Sequence, residues 1–253
     1  MKYNLLFLSA VLLTTAGCAQ LNKELNPPSD NTWIEIEIKA PEHTQAFPVN
    51  ALYTSEICKR DRLRADMKIY KITGTKARNI TMSLENDTGL YRAKIPRNGG
   101  GGCQWQLSRV TFGIEYASVE HLVKNGEVTS GVGVNVAFSD GYGSSEFIDY
   151  PVVSSPLTLS PIYYPVIIEW RFSKQSTDVD LFGQRDFDFY KIRLKEHEGA
   201  KITFLPQVDE SKVVRSIGPK EKKEGNHWRI IYPDGSETYN GEVFPNYNRV
   251  KAM

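Results

Sequence analysis

Apolar and polar residues alternate along much of the chain, which is the pattern of half-buried β-strands. In residues 33–39, three isoleucines alternate with Glu35, Glu37 and Lys39. A period of two with β-branched residues favours a strand that has one face in a core. Runs of this kind, separated by glycine- and asparagine-rich turns, predict further strands at residues 67–72, 80–84, 90–95, 104–117, 132–138, 162–172, 189–194, 200–205 and 227–232. We therefore expect an all-β fold with antiparallel, β-sandwich-like architecture.

Prolines mark one internal boundary. Four of them lie in residues 151–165, a density that central strands do not tolerate. The sequence therefore predicts two β-rich lobes, an N-terminal sandwich-like domain at 32–150 and a C-terminal lobe at 151–253. Within the second lobe, the turn at 233–236 predicts a hairpin between 228–232 and 237–239.

The first residues carry the signature of an export signal. Lys2 precedes a nearly continuous apolar run at residues 5–13, and the next small residues lead to Thr15-Ala16-Gly17-Cys18. The apolar run is about half of the roughly 20 residues that a membrane-spanning helix needs. A short positive start, a short apolar run and small residues after it indicate a cleavable signal peptide at residues 1–17.

The segment around Cys18 resembles the lipobox of bacterial lipoproteins, in which the cysteine after cleavage becomes diacylated and N-acylated. Thr15 replaces the leucine that is usual three positions before that cysteine. The resemblance implies lipidation at Cys18, and Ala19 rather than aspartate after it implies the outer membrane, facing the periplasm. Residues 18–31 are then a lipid anchor and tether. The alternative is an ordinary signal peptide followed by an incidental cysteine.

The remaining cysteines, Cys58 and Cys103, form an even pair if Cys18 carries lipid. In an oxidising compartment such a pair favours a disulfide. Two buried free thiols are the alternative. We expect no metal site, since two cysteines this far apart without a nearby histidine pair lack ligand spacing.

Charge and motifs restrict the function. Lys and Arg total 31 against 30 Asp and Glu. A net charge near zero argues against nucleic-acid binding driven by phosphate contacts, although it does not exclude a local charged surface. The four histidines fall in no catalytic motif, and the sequence contains no GxSxG, HExxH or SxxK pattern. We expect a protein that is not an enzyme and that uses no cofactor.

Two charged segments are candidate contact surfaces for a partner. Residues 57–64 carry a basic cluster made of Lys59, Arg60, Arg62 and Arg64. Residues 178–188 combine aromatic side chains with carboxylates, and the candidates there are Asp178, Asp180, Phe182, Asp186 and Asp188. The alternative for both segments is a solvated loop. The acidic segment lacks the spacing of an EF-hand calcium loop.

Together these features resemble the immunity lipoproteins that are paired with type VI secretion phospholipase effectors. The segments that carry the resemblance are residues 51–60, 102–105 and 163–172. The resemblance implies a stoichiometric inhibitor that is held at the membrane and blocks the active site of a toxic phospholipase. Two other hypotheses are a general outer-membrane lipoprotein for envelope assembly or glycan binding through Trp105 or Trp170, and an envelope hydrolase.

Overall fold

The chain folds almost entirely into β-strands, which confirms the all-β prediction. The computed structural model describes residues 22–138, 150–172, 175–195, 197–239 and 241–253. The strands of these residues are β1 (Trp33–Ile38), β2 (Thr44–Ala46), β3 (Val49–Leu63), β4 (Ile69–Ile80), β5 (Ser83–Glu85), β6 (Leu90–Pro96), β7 (Asn98–Gly100), β8 (Trp105–Tyr116), β9 (Glu127–Val128), β10 (Val132–Ala137), β11 (Val152–Val153), β12 (Leu157–Leu159), β13 (Ile162–Trp170), β14 (Ser176–Phe182), β15 (Phe187–Ile192), β16 (Ala200–Phe204), β17 (Gln207–Val208), β18 (Val214–Ile217), β19 (Arg229–Ile231) and β20 (Glu237–Thr238). A 3-10 helix at Glu210–Lys212 and one α-helix, α1 (Tyr247–Ala252), complete the described secondary structure.

The first sheet contains five strands in the order β12-β16-β1-β6-β5. In β1, Ile34, Ile36 and Ile38 are fully buried, as the alternating pattern predicted. On the opposite face, the Glu35 carboxylate lies 2.9 Å from the Lys94 ammonium on β6. The strand therefore has one face in the core and the other in solvent.

The second sheet contains eight strands. Its main order is β11-β15-β10-β8-β3-β4, and β2 and β7 both pair with β8. Phe112 on β8 meets Phe204 on β16 of the first sheet, edge to face, with ring centroids 5.9 Å apart. Buried residues of both sheets belong to one hydrophobic cluster, so the two sheets pack face to face like a sandwich.

The third sheet contains seven strands, with main order β20-β19-β18-β13-β14-β9 and β17 added beside β13. Val166 and Ile168 on β13 belong to a small C-terminal core, whereas Ile167 between them belongs to the main core. The strand is thus buried on both faces, which explains its continuous apolar run.

The sheets are mixed, because parallel pairs lie beside the antiparallel pairs that the sequence predicted. The hairpin pairs are antiparallel, but β1 runs parallel to β16, β10 to β15, and β13 to β18. Two of these pairings also cross the boundary predicted at residue 150, because β16 and β15 complete sheets that the first half of the chain begins. The C-terminal lobe therefore shares its sheets with the N-terminal one and adds a small core of its own.

The described part of the predicted tether is docked on the fold. The Asn26 amide donates to the Gly99 carbonyl at 2.9 Å, and the Trp105 indole donates to the Lys23 carbonyl at 3.0 Å. Leu25 packs against the main core. Residues 22–31 are thus not a free linker. Within the described ranges, no helix is both long and apolar enough to cross a membrane.

Candidate functional site

Strands β3 and β4 extend past the edge of the second sheet as a two-stranded hairpin. β3 pairs with β8 only through residues 50–54, whereas its pairing with β4 continues to Leu63 and Ile69. Every residue from 59 to 71 is exposed. We call residues 59–71 the projecting hairpin. The sequence predicted a strand for only one side of it, because its charged side chains face solvent on both sides.

The base of the projecting hairpin is fixed by a bulge and a disulfide. Pairing shifts register between Ser55 and Arg60, and the Ser55 hydroxyl accepts the Cys58 amide at 2.9 Å while donating to the Cys103 carbonyl at 2.6 Å. Cys58 and Cys103 form a disulfide, as predicted from the even pair of cysteines that remains besides Cys18. Gly74 completes the base, since a Cβ there would lie 1.9 Å from the Cys58 carbonyl oxygen.

One face of the projecting hairpin is basic and aromatic. Arg62 lies opposite Tyr70 in the register and Arg60 lies opposite Ile72, and directly opposed residues share a face. The Arg64 guanidinium lies 5.8 Å from the centre of the Tyr70 ring, within the range of a cation–π contact. The three arginines therefore share one face of the hairpin with the Tyr70 ring.

The tip of the projecting hairpin is apolar. Leu63 lies opposite Ile69, and their exposed fractions are 55% and 69%, with 75% for Met67 in the turn. Clusters of exposed aliphatic side chains are unusual on a free surface and mark sites of protein or membrane contact. The sequence analysis missed these three residues, although apolar residues within a basic segment can be recognised in the sequence.

Positive charge dominates the projecting hairpin, which holds six basic residues and two acidic ones. Lys71 pairs with Asp61 at 2.7 Å, and Lys59 pairs with Glu56 below the hairpin at 3.2 Å. Among the residues that the structure describes, no carboxylate lies within ion-pair distance of Arg62 or Arg64. Their charge is therefore available to an acidic partner.

The second predicted contact surface is largely internal, which is a correction. Asp178, Asp180 and Phe182 lie on β14 with exposed fractions of 8%, 5% and 3%. The Asp178 carboxylate accepts the Trp170 indole N–H at 2.6 Å. These side chains belong to the core and its polar network, so we remove them from the contact surface. The sequence pattern did not predict the burial of these side chains, because both faces of β14 are buried.

Asp180 holds a loop onto the third sheet. Its carboxylate accepts the Thr129 hydroxyl at 2.6 Å and the Ser130 amide at 3.0 Å. We expect Asp180→Ala to lower the free energy of unfolding by about 2 kcal/mol, because both donors lose their partner. Urea denaturation followed by circular dichroism measures this. Exposed Asp186→Ala is the matched control, and an equal loss in both variants would contradict the assignment.

The other two carboxylates of residues 178–188 lie in different environments. Asp186 is exposed, whereas Asp188 lines a cleft of about 290 Å³ with Tyr163, Arg185 and Tyr190. Burial raises the pKa of Asp188, and the nearby Arg185 charge opposes that shift. In the described part of the chain the buried Tyr163 hydroxyl has no hydrogen-bond partner. The cleft therefore brings a carboxyl group, a guanidinium and phenol rings together in one partly enclosed volume.

The two tryptophans considered for glycan binding occupy different environments. Trp105 is 4% exposed and cannot stack on a sugar ring. Trp170 is half-buried and packs edge to face against Trp228, with ring centroids 4.9 Å apart. Trp170 also lines a surface cleft together with Arg171. Cys18, the predicted lipidation site, lies outside the described residues.

Comparison with known proteins adds no relative: no protein-family model, curated protein or solved structure matches this chain.

Proposed function

We propose that this protein is a membrane-anchored immunity lipoprotein of the periplasm that binds a toxic type VI secretion phospholipase and occludes its active site. The observation that carries the proposal is the projecting hairpin. It is exposed over its whole length, basic on one face, apolar at its tip and fixed at its base by a disulfide. Cys18 provides the lipid anchor in the outer membrane.

The shape of the projecting hairpin suits an inhibitor. An extended two-stranded element can enter a cleft that a flat surface cannot reach, and its backbone is already ordered before binding. Pre-organisation reduces the entropy lost on association. Arginine and methionine are enriched at protein interfaces, and Arg62, Arg64 and Met67 supply both types here. The positive charge selects an acidic cleft and accelerates encounter with it.

The position of the anchor supports the same proposal. The Asn22 carbonyl lies 4.0 Å from the Cys103 sulfur, at the base of the projecting hairpin. Three residues separate Cys18 from Asn22, and the four Cα–Cα steps between them span at most about 14 Å. A lipid on Cys18 therefore keeps the hairpin base close to the bilayer surface. A phospholipase acts on that surface, so inhibitor and enzyme meet at high effective concentration.

The first test is the genomic neighbourhood: we expect a lipase-fold gene directly beside this one, and its product then serves as the partner. We expect the two proteins to co-purify as a stoichiometric complex, and cells that produce this lipoprotein to survive when that lipase is directed to the periplasm. Cys18→Ser is the informative variant, since it should bind in solution yet protect poorly. Absence of both binding and protection by the wild-type protein would refute the proposal.

A further inference from the structure

Three side chains from distant parts of the sequence meet beside the far end of β8. The ligand-capable atoms of His43, His121 and Glu210 all lie within 4.8 Å of one another. The two imidazole rings stack with centroids 3.8 Å apart. His121 Nε2 lies 2.9 Å from Glu210 Oε1. Two imidazoles and one carboxylate therefore converge on one small volume.

The backbone around His43 holds its ring in place. His43 has a φ of 62°, in the left-handed region that side chains other than glycine rarely adopt. Its carbonyl accepts the Ala117 amide at 2.8 Å, and the next residue, Thr44, pairs with Tyr116 at the end of β8. The ring is thus carried by a turn that the second sheet anchors.

A core residue, Tyr116, orients the Glu210 carboxylate. Glu210 begins the 3-10 helix, and the Tyr116 hydroxyl donates to its Oε1 at 3.0 Å. Tyr116 is 2% exposed, so packing fixes its ring and its hydroxyl orients the carboxylate. Hydrogen bonds of this kind commonly orient the ligands of bound metal ions.

We propose that His43, His121 and Glu210 bind a divalent transition-metal ion of the Zn²⁺ type. Two imidazole nitrogens and one carboxylate oxygen are ligands that such ions accept at about 2.0–2.1 Å. Two donors of one tetrahedrally coordinated ion at that distance lie about 3.3–3.4 Å apart, so the 2.9 Å between His121 and Glu210 would lengthen by a few tenths of an ångström when the ion binds. Hard ions such as Ca²⁺ prefer oxygen ligands alone, so the nitrogen pair selects against them.

The site keeps room for further ligands. The exposed fractions of the His121 and Glu210 side chains are 26% and 29%, and His43 is 40% exposed. Water or a partner side chain can therefore complete the coordination. The cluster lies at the Tyr116 end of β8, whereas the hairpin base lies beyond the Trp105 end. The proposal is consequently independent of the proposed inhibitory function.

The test is direct metal binding by the untagged protein. We expect calorimetry and elemental analysis to find one Zn²⁺ per chain, and Co²⁺ in its place to give visible d–d absorption. His43→Asn, which suits the left-handed backbone, His121→Gln and Glu210→Gln should each weaken binding at least about tenfold. His227→Gln, which changes an exposed histidine elsewhere, should bind like the wild type.

Tyr116→Phe separates a built site from an accidental cluster. It removes only the hydroxyl that orients Glu210, and we expect Zn²⁺ affinity to fall about tenfold while circular dichroism still shows a folded protein. Substoichiometric Zn²⁺ in the wild type, or equal affinity in wild type and the His121→Gln variant, would overturn the proposal.

Discussion

Replacing Arg62 and Arg64 together with glutamate is expected to weaken binding of the proposed phospholipase partner at least about a hundredfold. The two guanidinium groups lie on the basic face of the projecting hairpin, within an excess of positive charge. Reversal turns attraction to an acidic cleft into repulsion between like charges. Surface plasmon resonance with the purified partner measures the change in affinity. Most of that change should appear as slower association.

The control for this variant reverses two lysines elsewhere. Lys220→Glu with Lys222→Glu changes the net charge equally in an exposed loop of the C-terminal lobe, and should leave affinity within about threefold because only long-range charge is altered. The apolar tip gives a second, kinetic signature: Met67→Ser should accelerate dissociation and hardly change association. Wild-type affinity in the double arginine variant would exclude the basic face from the interface.

Removing the disulfide by Cys58→Ser and Cys103→Ser is expected to lower the free energy of unfolding by about 4 kcal/mol, because the bridge closes a loop that restricts the unfolded chain. The two cysteines are 45 residues apart. Urea denaturation of the wild-type protein with and without reductant should reproduce the difference. The reduced protein should also become sensitive to protease in residues 59–71, since the bridge fixes the base of that segment.

A variant of the third cysteine distinguishes loss of the disulfide from loss of any one cysteine. Cys18→Ser leaves the Cys58–Cys103 bridge intact and should unfold at the same urea concentration as the wild type. A double serine variant as stable as the wild type would show that the hydrogen bonds of Ser55 fix this region without the covalent link.

Much of the fold was predictable, because strands with one face in water alternate in sequence. β1 and β6 follow this rule and were predicted to within one or two residues. The two longest strands that were missed, β3 and β14, break it in opposite ways. The second half of β3 enters the projecting hairpin, where both faces are exposed, and β14 is buried on both faces with two carboxylates inside. Neither environment requires an alternation of apolar and polar residues along the sequence.

The candidate sites were predictable only where their residues are adjacent in sequence. The basic cluster of residues 59–64 is contiguous, so composition revealed it. His43, His121 and Glu210 are brought together by pairing of β2 with β8 and by the 3-10 helix, and no local pattern records that meeting. The parallel pairing of β1 with β16 was hidden for the same reason.

That last pairing governs when the protein can finish folding as the chain emerges. β1 begins at residue 33 and its parallel neighbour spans residues 200–204, so a chain that emerges N-terminus first has an open strand edge until most of its length is available. Open edges recruit other strands and lead to aggregation. The supply of chaperones that hold unfolded chains should therefore limit the yield of this protein, and truncation before residue 200 should give insoluble material.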